Sequence, residues 1–102
     1  MKTQQVLDRD CLEQLLKEFL PQRGEDLKLR SLGYFGSYAR GEARADSDID
    51  IVFETDHPNL LTTSELHQDL VELLGRPVDV VRYRERMNPR FKSRLEKESV
   101  YV

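Results

Sequence analysis

The stretch that decides the fold is GSYARGEARADSDID, residues 36–50. It opens with a Gly-Ser pair, continues for ten residues, and ends in Asp-Ile-Asp. From Ile49 to Phe53 every second residue is a large apolar one, which is typical of a β-strand with one buried face. Since residues i and i+2 of a strand project from the same face, we expect Asp48 and Asp50 to stand together, opposite the apolar side chains.

Paired carboxylates of this kind point to a cation. Two carboxylates about 4 Å apart repel by roughly 4 kcal/mol at an effective dielectric of about 20. A divalent ion removes that repulsion, and hard oxygen ligands favour Mg²⁺ or Mn²⁺. Asp79 interrupts an otherwise apolar strand predicted over 78–81. If this strand lies beside the first, Asp79 joins Asp48 and Asp50 on the open face, and three acidic groups there suit a two-metal site for phosphoryl transfer.

The residues before the aspartates could hold phosphates. Gly36 lets the backbone approach a ligand closely, and Ser37 supplies a hydroxyl and an N–H. A helical turn from Tyr38 onward would add N–H groups that attract anions. Arg40 is either a phosphate ligand or an ordinary surface charge. Gly41 permits the turn that follows.

Apolar spacing predicts a first helix over 6–20. Its apolar residues recur at intervals of three and four, as on an amphipathic helix. Asp8 or Asp10 is expected to cap its start, and Pro21 and Gly24 to end it. Cys11 lies on the apolar stripe and is predicted to be a small core residue.

Two further helices follow from capping signals. Thr62 with Glu65 fits a capping box that would begin a helix, and Gly75 occupies the place of the residue after its C-terminus. Pro89 suits the first turn of a last helix over 88–97.

The strands fall between these helices. They are predicted over 29–35, 49–53 and 78–81, with a short terminal strand in 99–102. The order α-β-β-α-β-α describes an α/β sandwich, in which one sheet carries helices over one face. The length of 102 residues predicts a single domain over residues 1–102.

Composition narrows the class of protein. The chain is 38% hydrophobic and 34% charged, which is a globular composition. No apolar run approaches the roughly 20 residues of a membrane-spanning helix, and no signal-peptide pattern follows Met1. A single cysteine excludes an internal disulfide framework and indicates a reducing, cytoplasmic setting.

Charge is unevenly distributed along the chain. The net charge is −3, yet residues 82–97 hold seven Lys or Arg and only two Glu. This basic segment is either a solvated helical face or a contact for an anionic partner. The negative total and the lack of an aromatic-rich surface argue against direct nucleic-acid binding.

The Gly-Ser pair, the ten-residue interval, Asp-x-Asp and a later aspartate in a Val-rich strand resemble the minimal nucleotidyltransferase (MNT) family of the DNA polymerase β superfamily. The resemblance extends from residue 29 to the C-terminus and implies a small mixed sheet with helices packed on one face. It also implies transfer of a nucleoside monophosphate from an NTP, with release of pyrophosphate.

Carried over residue by residue, the resemblance assigns roles to six positions. Asp48 and Asp50 would bind two Mg²⁺ ions, and Asp79 would complete the catalytic metal site and help to deprotonate the acceptor hydroxyl. Gly36 and Ser37 would hold the triphosphate of ATP. Arg40, in the same motif, is a candidate phosphate ligand.

The resemblance also implies a partner. MNT proteins commonly act as antitoxins of HEPN ribonucleases, and in some pairs they adenylylate a tyrosine of the toxin. A hetero-oligomer with a HEPN protein is therefore expected, and the short chain favours a pocket that the partner completes.

Other interpretations stay open. The chain could neutralise its partner by binding alone, without turnover. Asp48 and Asp50 could be edge-strand charges that prevent aggregation. Transfer to a small molecule is a further enzymatic possibility, against which the absence of an acceptor domain argues.

Overall fold

A computed structural model describes residues 7–44 and 46–102, so Val6, where the first helix was predicted to begin, lies outside the described residues. The elements in chain order are α1 (Arg9–Arg23), β1 (Leu29–Phe35), α2 (Ser37–Arg40), β2 (Ile49–Thr55), α3 (Leu60–Leu74), β3 (Val78–Arg82), α4 (Pro89–Glu98) and β4 (Val100–Tyr101). All predicted strands and helices are present. Within the described ranges no helix is both long and apolar enough to cross a membrane.

The four strands form one mixed sheet in the order β3-β2-β1-β4. β1 pairs antiparallel with both β2 and β4, whereas β2 and β3 run parallel. A parallel pair requires a crossover connection, and α3 supplies it. The predicted α/β class and small mixed sheet are confirmed.

One face of the sheet carries the main core. Leu12 and Leu16 of α1 and Leu66 and Leu70 of α3 are fully buried, and they belong to one cluster with Ile51 of β2. These helical residues recur four apart, so each helix turns one stripe toward the sheet. The alternating residues of β2 therefore face the helices, as predicted.

The opposite face is partly covered by α4, which the prediction of helices on one face did not include. Leu95 of α4 is buried against Phe35 and Val52, and Phe91 packs edge-on to Phe35 with ring centroids 5.9 Å apart. Phe91 and Leu95 are one helical turn apart, which gives α4 a narrow apolar stripe. α1 and α3 thus cover one face of the sheet and α4 covers part of the other.

Of the two residues predicted to end α1, Gly24 does so as the C-cap, but Pro21 does not. α1 continues through Pro21 to Arg23, because a proline in the last turn removes only one hydrogen bond and Arg23 is anchored to Asp69 of α3 at 2.9 Å. The predicted start of α3 is wrong. α3 begins at Leu60 rather than at Thr62. The side chain of Asn59 accepts the N–H of Leu61 at 2.7 Å, so asparagine provides the cap.

The start of α1 is capped as predicted, but its cysteine is not in the core. The Asp8 carboxylate accepts the backbone N–H of Cys11 at 2.8 Å. Cys11 itself is exposed, because the helix turns the neighbouring Leu12 toward the sheet. The prediction of a core cysteine is therefore wrong.

Candidate active site

Sheet register brings two of the predicted carboxylates together. In the parallel pairing of β2 with β3, Asp50 lies directly beside Asp79. Neighbouring strands are about 4.8 Å apart, so these side chains project side by side from the same face. Asp48 immediately precedes β2, two residues before Asp50, at the same end of the strand. Asp48 and Asp79 are exposed and Asp50 is half-buried.

The electrostatics of Asp50 show that the three acids act on one another. Burial raises the pKa of Asp50, and the charges of Asp79 and Asp48 raise it further. Arg94 and Arg40 oppose this change in pKa. A carboxylate in this position is stabilised by an added cation, because the cation offsets both the lost hydration and the repulsion.

The acidic group, which consists of Asp48, Asp50 and Asp79, has suitable ligands for Mg²⁺ that is bound together with a nucleotide. Among the described residues, no group of three or more His, Cys, Asp or Glu side chains is arranged to hold a metal ion, so Asp48, Asp50 and Asp79 do not form a complete protein site. Mg²⁺ seldom uses all-protein sites; it binds through one or two carboxylates and completes its shell with water and substrate phosphates. Adjacent carboxylates such as those of Asp50 and Asp79 provide that kind of partial shell.

We expect Asp50→Asn to stabilise the metal-free protein. A raised carboxyl pKa means that the folded state binds a proton more tightly than the unfolded state, so stability is lost as the pH rises above the usual carboxyl range. At about pH 7 the melting temperature should rise by a few degrees, since ~1 kcal/mol corresponds to about 4–8 °C in a small domain. The difference should shrink toward about pH 3, where both states are protonated.

Thermal melts in buffer with a chelator measure this effect. Asp46→Asn is the matched control, because Asp46 is exposed in the loop that leads to the same strand. An unchanged or lower melting temperature for Asp50→Asn at neutral pH would contradict the repulsion described above.

The Gly-Ser loop lies directly against Asp50. Gly36 adopts φ 73° and ψ −145°, a conformation essentially restricted to glycine. A Cβ at this position would lie 2.1 Å from Oδ2 of Asp50, so the loop touches the carboxylate only because it has no side chain there. The predicted cradle and the predicted acidic group are therefore contiguous.

The residues after Gly36 form the short helix α2, in agreement with the predicted helical turn. Ser37 begins it and is half-buried. Tyr38 is 1% exposed, and its hydroxyl accepts a hydrogen bond from Arg76 at 3.0 Å, so this ring packs in the core. Ser47 accepts the backbone N–H of Arg44 at 2.8 Å and thereby fastens the loop before β2.

A residue that the sequence pattern did not identify completes the loop's surroundings. Glu98, the last residue of α4, accepts the N–H of Gly36 at 2.8 Å. Nη1 of Arg40 lies 3.3 Å from both of its carboxylate oxygens, and Nε of Arg94 lies 3.6 Å away. Although burial acts to raise the pKa of Glu98, the Gly36 N–H and the two arginines lower it overall.

The sequence carried no local signal for this contact, because Gly36 and Glu98 are 62 residues apart. Only the packing of α4 on the acidic face of the sheet brings them together. The resulting site has carboxylates on one side, and backbone N–H groups and guanidinium groups next to them. Such a site can hold a cation and a polyphosphate side by side.

Comparison with known proteins agrees with this chemistry. A family model described as a nucleotidyltransferase domain matches residues 13–102. The protein adenylyltransferase MntA of Thermococcus cleftensis is 40% identical over 102 residues, covering 95% of this chain and 98% of that protein.

Solved structures show the same fold. One assigned as a minimal nucleotidyltransferase superposes with a TM-score of 0.79 at 31% identity, over 93% of this chain and 96% of that one. A toxin–antitoxin crystal structure with AMP-PNP superposes with a TM-score of 0.65 at 26% identity, over 91% of this chain and 70% of that one.

Proposed function

Because the chain belongs to the nucleotidyltransferase domain family, as a minimal nucleotidyltransferase, we propose that it is a Mg²⁺-dependent protein adenylyltransferase. It moves AMP from ATP onto a tyrosine hydroxyl of a HEPN ribonuclease and so acts as the antitoxin of that ribonuclease. The similar MntA is named a protein adenylyltransferase, and a structural relative is a toxin–antitoxin assembly with AMP-PNP. The HEPN partner, the tyrosine and the magnesium come from the family resemblance.

The observation that carries this proposal is the pairing of Asp50 with Asp79 beside Gly36. The parallel register sets the two carboxylates next to each other, and the missing side chain of Gly36 lets the backbone reach the same point. Phosphoryl transfer needs this combination, because cation ligands and phosphate ligands must act on neighbouring oxygens of one nucleotide.

The predicted site residues divide into metal ligands and phosphate ligands. Asp48, Asp50 and Asp79 would hold two Mg²⁺ ions, which when bound supply positive charge for the phosphates and for the attacking oxygen. Ser37 and Arg40 would bind the triphosphate and keep its α-phosphorus in line with the acceptor, and Gly36, whose N–H donates to Glu98, would let the phosphates approach the backbone closely.

The acceptor oxygen attacks the α-phosphorus, and the bond to the β-phosphate oxygen breaks. Pyrophosphate leaves and AMP stays on the acceptor as a phosphodiester. Asp79 is exposed, which supports a role for its carboxylate in receiving the proton of the hydroxyl. An acceptor on another protein can approach because Asp48 and Asp79 both face solvent in this chain.

The test is transfer of label to the partner. The chain is incubated with labelled ATP, Mg²⁺ and a candidate HEPN partner, and the partner is analysed by mass spectrometry. We expect AMP on a tyrosine, loss of the label when that tyrosine is replaced by phenylalanine, and loss of all transfer with excess chelator. If the ribonuclease activity of the partner were inhibited while no label appeared on it, neutralisation by binding alone would be favoured.

A further inference from the structure

We infer that Glu98 is a positioning residue for the nucleotide. It fixes the Gly-Ser loop by accepting the N–H of Gly36, and it holds the guanidinium groups of Arg40 and Arg94 where they can bind phosphate. This inference rests on the proposed function, since it takes the anion to be a nucleotide triphosphate. It assigns a role in substrate binding to α4, which lies far from the motif in sequence.

Glu98 holds the Gly-Ser loop through the backbone N–H of Gly36. Gly36 is held in a glycine-only conformation against Asp50, and its N–H points to Glu98 at 2.8 Å. Without the Glu98 carboxylate, the Gly36 N–H would lose the hydrogen bond that favours the strained backbone conformation. The hydrogen bond to Glu98 therefore holds the backbone of the loop against Asp50.

Arg40 is held by two carboxylates. Its Nη1 binds Glu98 at 3.3 Å and its Nε binds Glu42 at 3.0 Å, so two carboxylates fix the plane of the guanidinium. Neither bond uses Nη2, and guanidinium has five N–H donors in a rigid fork. The side chain is 39% exposed. Arg40 is therefore oriented beside the loop with donors left for a phosphate.

Arg94 is the second arginine that forms an ion pair with Glu98. It lies one helical turn before Glu98 on α4, 3.6 Å from the carboxylate, and is 55% exposed. Both Arg94 and Arg40 act electrostatically on Asp50, which places their charges near the acidic group. α4 itself is anchored by Leu95, which is buried. Two cations thus stand at the same end of the site as Asp50, and Glu98 is their common partner.

The burial of Glu98 favours a fixed role over an incidental surface pair. Its side chain is 15% exposed, and it has partners on both oxygens. Exposed ion pairs contribute little, whereas a partly buried carboxylate with a backbone donor and two guanidinium groups holds all of them in place.

Binding of inorganic tripolyphosphate and of ATP, measured by calorimetry, tests the inference. We expect Glu98→Ala to raise both dissociation constants about tenfold. Glu98→Gln keeps an acceptor for the Gly36 N–H but loses the charge that holds the arginines. Its dissociation constants should therefore lie between those of the wild type and those of Glu98→Ala. Glu96→Ala is the matched control on the same helix. Glu96 accepts a hydrogen bond from the Tyr83 hydroxyl at 2.5 Å, and the Glu96→Ala variant should bind tripolyphosphate and ATP as wild type does.

Arg94→Gln provides the second arm, with Arg90→Gln, one turn earlier on the same helix, as its control. Arg94→Gln should weaken tripolyphosphate binding by about threefold to tenfold in the wild-type background. In the Glu98→Ala background, Arg94→Gln should weaken tripolyphosphate binding less, because Arg94 is already released from Glu98. If the two residues acted independently, Arg94→Gln would have the same effect in both backgrounds.

The outcomes separate a positioning role from its alternatives. Melting temperatures are measured alongside, and a variant with lower stability but the wild-type dissociation constant would show that Glu98 only supports the fold. Tighter binding by Glu98→Gln would show that the carboxylate competes with phosphate. Either result overturns the inference, as does wild-type protein that binds no tripolyphosphate. Failure of AMP transfer to the partner overturns the proposed function instead, because these binding measurements do not depend on transfer.

Discussion

Replacing Asp48 and Asp50 together by asparagine should abolish AMP transfer while leaving the fold intact. We expect the rate to fall by on the order of 10³-fold, or about 4 kcal/mol of transition-state stabilisation. Asparagine keeps the size and one oxygen of each side chain but removes both negative charges, and neutral amides are poor ligands for Mg²⁺. The rate is measured as label transferred to the partner at saturating ATP, and folding as the circular dichroism spectrum and melting temperature.

A charge-matched control distinguishes the site from the overall charge. Asp10→Asn combined with Asp46→Asn also removes two negative charges, both from exposed positions outside the acidic group. This control should transfer AMP at the wild-type rate. Persistent labelling by the Asp48 and Asp50 double variant would refute the assignment of these carboxylates. A double variant that transfers nothing yet still protects cells from the toxin would instead identify binding as the neutralising event.

Gly36→Ala should reduce transfer by about 10²-fold, a loss typical of catalytic groups displaced by about 1 Å. The added Cβ would lie 2.1 Å from Oδ2 and 3.1 Å from Cγ of Asp50, so the carboxylate must move. The backbone also resists the change, because φ 73° with ψ −145° is a region that residues with a Cβ avoid. We expect a stability loss of about 1–3 kcal/mol in addition.

Gly75→Ala separates these two effects. Gly75 ends α3 at φ 69°, but a Cβ there would meet nothing within 4 Å. This variant should lose about 1 kcal/mol of stability and keep its transfer rate. If Gly36→Ala behaved in the same way, the contact between the loop and Asp50 would have no part in catalysis.

The strands could be predicted closely because their signals are local. β1 was predicted over 29–35 and is found there, since a short run of strand-forming residues ends at the glycine that turns the chain. Helix starts were harder to predict. Asn59 and Thr62 are both good caps, and only the position of the preceding loop decides between them. Pro21 is tolerated because a tertiary ion pair anchors the turn in which it lies.

The candidate site was predictable only in part, because some of its residues are close in sequence and others are brought together only by strand pairing and helix packing. Asp48 and Asp50 are neighbours in sequence, so strand periodicity alone groups them. The place of Asp79 depends on which strands pair, and the structure confirms the conditional prediction that it lies beside Asp50. Glu98 and Arg94 reach the loop through the packing of α4 on the second face of the sheet, which no local pattern encodes.

The pairing of β2 with β3 has a consequence for faulty folding. A slip of one residue would turn Asp79 into the apolar layer under α1 and α3 and expose Val78, which is 4% exposed in the native pairing. Placing an unpaired carboxylate in that layer costs several kcal/mol. Chains with the wrong alignment would therefore be unstable as well as inactive. Cellular proteases that remove unstable chains would clear these inactive copies before they occupied the partner.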